Sequence, residues 1–449
     1  MMEEFIRRVT EQIRCVRARD GVAKELTDHI EDQAAAYETA GDVHEEAVRK
    51  AVLEMGDPVE VGVEMDRIHK PQVDRRLIAM ALVFSVAGFF IIYGTDSFVQ
   101  HPDYMLRRSV SLLLSFGVMA GMYFLDYSFI GRYAYGVCVI MTVVMLIFRG
   151  YIAASIGGQY VPFMPAYLYL PVYAAMLYRL RGIGYRAVAW GMALLAGIMI
   201  SLYLMAVTLP GLANIYIICT ILLLIAVWKG WFAVDRKNAT AVIIGVLVLL
   251  PAAFVIMRVV SGAEADSFRM ARLQAWLHPE RDAGGMGYYY LWLRQEWSAV
   301  RLIGAAPDSM FANEDLVWPG DADTCCLLRI TCQYGILAGL AVVLAFAAVI
   351  VRAYHIVRRQ KNQLGFMLAA ACFMIFAVNC LEGILISTGY YPATGGIQLP
   401  FVSYGQGTAI TYAALTGLLL SLYRNERIIT DDAVVRRSAW RLSIRLEKR

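Results

Sequence analysis

The apolar positions of this chain follow two patterns. Across residues 1–70 they alternate with polar ones at helical spacing. Phe5, Ile6, Val9 and Ile13 mark a first helix. A second stretch, Val22–Thr39, stops at Gly41, and a third, His44–Met55, stops at Gly56. In Gly56-Asp57-Pro58 the glycine ends one helix and the proline suits the first turn of the next, which closes near His69 ahead of Pro71. From Leu77 onward the apolar residues form long runs instead. A bilayer core of about 30 Å needs about 20 apolar residues per helix. About ten runs approach that length: Leu77–Tyr93, Ser109–Leu125, Tyr133–Phe148, Met164–Tyr178, Val188–Val207, Ile215–Trp228, Ala239–Val260, Cys325–Val351, Leu364–Thr388 and Thr408–Tyr423. The expected fold is all-α: a polytopic membrane protein of about ten transmembrane helices behind a small cytoplasmic helical bundle. The predicted organisation is a helical head over 1–70, a linker over 71–76, a membrane domain over 77–423 and a tail over 424–449.

Composition agrees with that division. Of 449 residues 59% are hydrophobic and 17% charged, against about 25% charged in soluble domains. Mean hydropathy is +0.55. These values argue against a water-soluble enzyme, a nucleic-acid binder and a disordered chain. The net charge of +4 hides an asymmetry. Residues 1–74 hold 18 acidic and 10 basic side chains, a charge of −8, which leaves +12 for the rest. The start of the chain lacks a basic segment followed by an apolar run, so no signal peptide is expected and the head is read as cytoplasmic. Basic residues then cluster in alternate loops, at Arg179/Arg181/Arg186, Lys229/Arg236/Lys237 and Arg352/Arg358/Arg359/Lys361. By the positive-inside rule these loops and both termini are cytoplasmic. Arg107, Arg108 and Arg149 dissent. The tail carries eight basic residues, suited to an anionic leaflet.

One connection breaks the pattern. Residues 261–324 form a long outer loop holding Trp276, Tyr288, Tyr289, Tyr290, Trp292 and Trp297 among Arg269, Arg272, Arg294 and Arg301. Disordered segments are poor in aromatics, so a folded element is expected there. The eight cysteines lie mostly in apolar runs without a CxxC pair, and the six histidines form no HxxxH or HExxH pattern. No metal site and no cofactor is expected, and no residue pattern calls for a divalent cation. Asp321-Ala322-Asp323 spells D-x-D, which is too common to imply a metal.

Between the last two spans the chain reads Gly389-Tyr-Tyr-Pro-Ala-Thr-Gly-Gly-Ile-Gln-Leu-Pro-Phe-Val-Ser-Tyr-Gly405. This resembles the P-x-T-G-x-x-L-P-F-x-S-Y-G signature of the SEDS family, which includes RodA, FtsW and SpoVE. Pro392, Thr394, Gly395, Leu399, Pro400, Phe401, Ser403, Tyr404 and Gly405 match, with one extra residue between Thr394 and Leu399. Arg272, Trp276, Leu277, Pro279 and Asp282 resemble the family's R-x-x-x-[FW]-L-x-P-x-x-D. The resemblance implies a peptidoglycan glycosyltransferase in cell elongation, division or sporulation. Such enzymes polymerise undecaprenyl-pyrophosphate-linked lipid II on the outer face of the bacterial cytoplasmic membrane, beside a class B penicillin-binding protein. In the head, "HIED" at His29–Asp32 and "EMGDP" at Glu54–Pro58 look like a prefix domain found ahead of some bacterial permease-like proteins. That module is read as a solvated bundle or as a dock for a cytoplasmic partner.

The chemistry asks for a base at the acceptor hydroxyl, cations at the departing pyrophosphate and an apolar groove for the lipid tail. Counting from Pro319, the family's catalytic acid falls on Thr324 here, with Asp323 one residue earlier. Asp323 is therefore the first candidate base and Asp321 the second. Candidate substrate contacts are Arg269, Arg272, Asp282, Pro392, Thr394, Pro400, Ser403 and Tyr404, together with two ionisable residues inside predicted spans, Arg329 and Glu382. These two are expected to pair near the floor of the site. Several family charges are missing. The fourth span reads Met164-Pro165-Ala166-Tyr167, the sixth is preceded by Pro210-Gly211-Leu212-Ala213-Asn214, and the family's E-E pair falls on Cys332-Gln333. Two alternatives therefore stay open: a scaffold without polymerase activity that regulates a penicillin-binding protein, and a transporter of lipid-linked precursors.

Overall fold

The computed structural model describes residues 1–93, 102–155, 164–205, 207, 209–249, 251–253, 256–257, 268–312, 325–392, 399–401 and 406–428. The described residues divide into two compact units. One comprises Met1–Val73, Lys361–Gln363 and the chain from Tyr423 on, the other Asp74–Gln360 and Leu364–Leu422.

The first unit contains four helices, Met2–Gln12, Val16–Thr39, His44–Glu54 and Pro58–Ile68. The second begins six residues ahead of the expected Val22, with Cys15 extended at its start. Phe5, Val9 and Ile13 are buried as their spacing requires, as are Val22, Leu26 and Ile30 of the second helix. Asp57 caps the fourth helix by accepting from Glu60 N at 3.2 Å, with Pro58 at the first turn. Asp66 ties the ends of the bundle together. It accepts from Arg14 N at 2.8 Å and from the Arg14 guanidinium at 2.8 and 2.9 Å. These bonds hold its carboxyl below the usual range.

Helix is found at each expected span among the described residues: Arg75–Tyr93, Pro102–Phe124, Ala134–Ser155, a 3-10 turn Met164–Leu168 leading into Tyr169–Arg179, Tyr185–Leu204, Leu209–Trp228, Arg236–Ile244 followed by the π-helical Gly245–Leu249, Ile336–Arg359, Gln363–Ser387 and Gln406–Arg424. Among the described residues five helices are long and apolar enough to cross a membrane, and Ser109–Phe124 and Ala134–Ile147 are shorter apolar helices. The protein is a multi-pass membrane protein. Lipid does not drive apolar faces inward as water does, so small and hydrogen-bonding residues mark the centre. Tyr173 donates to Gly191 O at 3.1 Å, Tyr169 pairs with Thr142 at 2.7 Å and Asn379 donates to Tyr412 at 2.8 Å. The helices Tyr169–Arg179 and Gln363–Ser387 are buried along most of their length, whereas Ile336–Arg359 is mainly exposed.

One expected span proves to be two helices. Cys325–Val351 is broken at Gly335 into Cys326–Tyr334 and Ile336–Arg359. Gly335 has φ +98°, and a Cβ there would lie 2.7 Å from Ile303 Cα. The segment 301–306 passes over this break, with Gly304 N bonded to Tyr334 O, Ala306 N to Cys332 O and Ile336 N to Arg301 O. Apolar residues continue on both sides of Gly335, so the run reads as one span, although Cys326–Tyr334, with Arg329, Thr331 and Gln333, is less apolar than Ile336–Arg359. At the other end of the span, buried Asp74 caps Arg75–Tyr93 at Leu77 N (3.1 Å) and takes Arg352 Nε at 2.7 Å.

Candidate functional site

Over residues 268–312 the long loop expected on the outer face is folded, as its aromatic content predicted. Its described part contains the helix Phe268–Leu277, a 3-10 turn at Pro279–Asp282, the helix Tyr288–Ala299 and a short turn at Met310–Ala312. Leu293, Phe311, Cys325, Leu328 and Cys332 form a small core, flanked by Tyr289, Trp292, Trp297 and Val300. The loop thus packs on the short helix Cys326–Tyr334. Two indoles fasten it to the end of the Gln363–Ser387 span. Trp276 Nε1 donates to Gly389 O at 3.0 Å, and Trp297 Nε1 donates to Ser387 O at 2.9 Å. The aromatic helices are therefore anchored at the point where the Gly389–Gly405 connection begins.

A buried carboxylate fixes the return of this loop. Glu296, 2% exposed, accepts from the Ser309 hydroxyl and, at 3.0 Å, from Met310 N. Phe311 N in turn donates to Ser309 Oγ at 3.1 Å. The turn enters directly into residues 313–324. Sequence reasoning passed over Glu296, and the available signal was an acid set among the aromatic residues of one helix.

Asp282 has a local role. Its Oδ2 accepts from Met286 N at 2.9 Å and closes the turn onto Gly287, whose missing side chain lets Pro279 O approach to 2.2 Å of a Cβ position. Asp282 and Gly287 thus build the elbow between Phe268–Leu277 and Tyr288–Ala299. Arg272 is half-buried one turn before Trp276, in electrostatic reach of Tyr290. Tyr290 is buried with its hydroxyl unbonded, and burial raises its phenol above the ordinary range. Exposed Glu280 pairs with Arg294 at 3.0 Å, and its carboxyl is held low, first by its own backbone N–H and then by Arg294.

Glu382 corrects the expected pairing with Arg329. Its carboxylate accepts instead from Tyr391 OH, at 2.6 Å, and from the amide of Asn214, which also reaches Tyr167 OH at 3.3 Å. Arg329 is buried in the separate helix Cys326–Tyr334, so the depth argument that put the two opposite each other on continuous spans does not hold. Tyr167 and Asn214 belong to the two segments where family charges are missing, and both converge on Glu382. A buried carboxylate is costly unless hydrogen-bonded, and these donors meet that need. Asn214, Tyr167 and Tyr391 were not singled out as site residues. The signal for Asn214 was a lone amide at the head of an otherwise apolar run.

The signature connection is described at Pro392 and again at Leu399, Pro400 and Phe401. Leu399 and Phe401 are buried, and Leu399 packs over Gly383. Phe401 holds φ +64°, a left-handed conformation that costs a non-glycine residue about 1–3 kcal/mol. Its ring stacks on Phe84 at 6.4 Å and Phe376 at 6.1 Å. Phe84 in turn stacks on Phe346 at 5.0 Å. The aromatic stack holds the strained residue in place. Asp321, Asp323, Thr394, Ser403 and Tyr404 lie outside the described residues, as does the side chain of Arg269. Cys325, Cys326 and Cys332 are buried, and among the described residues no cluster of three or more His, Cys, Asp or Glu is placed to hold a metal.

The family model described as cell cycle protein, FTSW_RODA_SPOVE, matches residues 74–428. A relative named "Probable peptidoglycan glycosyltransferase FtsW" from Trichlorobacter lovleyi is 26% identical over 170 residues, 38% of this chain and 43% of the relative. The chain thus spans less than half of the first relative it matches. An FtsW of the same name from Geobacter sulfurreducens is 22% identical over 373 residues, 78% of this chain and 94% of the relative. A solved structure titled "Structural coordination of polymerization and crosslinking by a peptidoglycan synthase complex" shares the fold at a TM-score of 0.58 and 16% identity, covering 79% of this chain and 98% of that one. From Asp74 through Ile428 the chain belongs to the FtsW/RodA/SpoVE family of cell cycle proteins.

Proposed function

We propose that the protein is a peptidoglycan glycosyltransferase. It polymerises lipid II, the undecaprenyl-pyrophosphate-linked precursor, at the outer face of the bacterial cytoplasmic membrane, with both termini cytoplasmic. The observation that carries this reading is the docking of the outer aromatic helices, through Trp276 and Trp297, onto the residues that open the signature connection. Family membership supports it, as do the printed activities of the FtsW relatives. In this reading Asp323, with Asp321 behind it, removes the proton from the acceptor sugar hydroxyl as that oxygen attacks the donor anomeric carbon. The pyrophosphate leaves with the bonding electron pair, and Arg272 and Arg269 lie on the helix suited to offset its charge. Asp282 acts by shaping the elbow that carries this helix. Arg329, Glu382, Pro392, Thr394, Pro400, Ser403 and Tyr404 are proposed to bound the substrate path. Residues 1–70 form a separate cytoplasmic module, and a class B penicillin-binding protein is the proposed partner.

The test is polymerisation of labelled lipid II by the full chain with and without that partner. Wild type yields glycan strands and Asp323→Ala loses them by a factor of about 10²–10⁴, the usual contribution of a general base. Equal activity in the two removes Asp323 from the mechanism. A wild type inactive beside its partner supports the scaffold instead.

A further inference from the structure

A groove on the side of the membrane domain lies outside this machinery. It is formed by the helices Ala134–Ser155, Tyr169–Arg179 and Tyr185–Leu204 and holds about 210 Å³. Cys138, Met176, Trp190, Leu194, Gly197 and Ser201 line it. Its floor is chemically quiet. Tyr169 OH and Thr142 Oγ1 satisfy each other at 2.7 Å, and Thr142 also donates to Cys138 O at 2.9 Å. No charged side chain lines it.

Two measures say what fits. The first is length. Trp190 to Ser201 covers eleven residues of one helix, about 16 Å at about 1.5 Å per residue. That is close to half of the roughly 30 Å hydrocarbon core, the depth of one leaflet. The second is charge, gathered at one end only. Arg186 lies four residues before Trp190 and Arg179 three after Met176, so each stands one turn beyond a lining residue, on the same helix face. Arg179 also reaches over Tyr135, with 5.6 Å from its Cζ to the ring centroid, and donates to Arg132 O. Tyr135 lies one turn before Cys138. Arg132, Arg179 and Arg186 are exposed, and among the described residues none of them has a carboxylate partner. An apolar slot one leaflet deep, with guanidiniums that no described carboxylate neutralises at a single mouth, matches an amphiphile with one anionic head.

We propose that this groove is a binding site for an anionic phospholipid, its acyl chain lying along Trp190–Ser201 and its phosphate on Arg179 and Arg186. Under the orientation proposed above the lipid belongs to the inner leaflet. The site is remote in sequence from the outer loop and from the signature connection, and it does not depend on polymerase activity.

The experiment uses the full chain in phosphatidylcholine nanodiscs containing a small fraction of lipid dibrominated in mid-chain, either phosphatidylglycerol or phosphatidylcholine. Bromine quenches tryptophan at contact distance, and subtracting the spectrum of Trp190→Phe isolates Trp190. The brominated anionic lipid should quench Trp190 at lower mole fraction than the zwitterionic one, by on the order of fivefold for each arginine. Arg179→Gln/Arg186→Gln should bring the two lipids to parity, and Arg179→Lys/Arg186→Lys should keep the preference, which separates lost charge from lost fold. Gly197→Phe should reduce quenching by both lipids, since a Cβ there meets nothing within 4 Å and the ring enters the groove. Equal quenching by the two lipids in wild type would identify ordinary boundary lipid and overturn the proposal. A preference that survives the double glutamine variant, or no quenching at all, would overturn it too.

Discussion

Replacing Glu296 by alanine should release the return of the outer loop without unfolding the membrane domain. The carboxylate is buried and accepts from two close donors, the Ser309 hydroxyl and Met310 N, and from the weaker Cys332 thiol at 3.9 Å. Alanine leaves both donors in a site closed by Leu293, Phe311 and Cys332. A buried donor stripped of its partner costs about 1–3 kcal/mol. Two donors give about 2–6 kcal/mol, and the lower half of that range is expected because the turn can open to water. Near 3 kcal/mol the closed turn loses on the order of 100-fold in its opening equilibrium, at about 1.4 kcal/mol per factor of ten. The amides of Met310 and Phe311 report this directly, since their bonds go to Glu296 and Ser309. Hydrogen exchange followed by mass spectrometry on the full chain in nanodiscs should show peptides over 307–312 exchanging about 100-fold faster, with the Gln363–Ser387 helix unchanged. Glu296→Gln keeps an acceptor for Met310 N and should cost only about 1 kcal/mol. If alanine changes exchange at 310–311 by less than threefold, Glu296 does not hold the turn and the reasoning fails.

Gly335→Ala should destabilise the break between the two helices by about 1–3 kcal/mol or more, through its positive φ and the backbone of Ile303; thermal unfolding in detergent should show it, and a wild-type midpoint would refute the clash. Asp74→Asn should cost about 3–5 kcal/mol, because Arg352 is left partly buried without its carboxylate. Pairing it with Arg352→Gln should recover part of the loss in purified yield and midpoint, and strict additivity would refute the coupling. The head should show an acid limb set by Asp66. Arg14 hydrogen bonds lower its pKa from 3.8 in the folded state, so its stabilising contribution is present above the unfolded value and disappears as pH falls through the folded one. Exchange of the Met2–Gln12 amides, normalised to intrinsic rates, should therefore rise below about pH 4 in wild type. In Asp66→Asn it should be raised at every pH with a flatter dependence, and identical profiles would refute the assignment.

The sequence alone determined whatever depends on neighbours along the chain. Helix spacing in the head, the Gly41 and Gly56 stops, the Pro58 start, the apolar spans and the aromatic outer element were all legible, because each is fixed by local sterics or by transfer of a contiguous segment out of water. The signature from Pro392 to Gly405 was legible for the same reason: it is one continuous segment. What the linear pattern did not contain was the meeting of distant groups. Arg329 and Glu382 looked like partners because both were counted down continuous helices. The break at Gly335 does not stand out in a run counted as one span, since its position is fixed by a crossing backbone at Ile303. Glu382 is 168 residues from Asn214, and only packing decides that their helices are adjacent. Asp282 read as a substrate contact, and the structure adds that it closes its own elbow, while Glu296 read as nothing and holds a turn. The tertiary structure decided these roles for a physical reason. A buried polar group must find its hydrogen bonds within the fold, and which partner it finds is set by the packing of spans rather than by their sequence order.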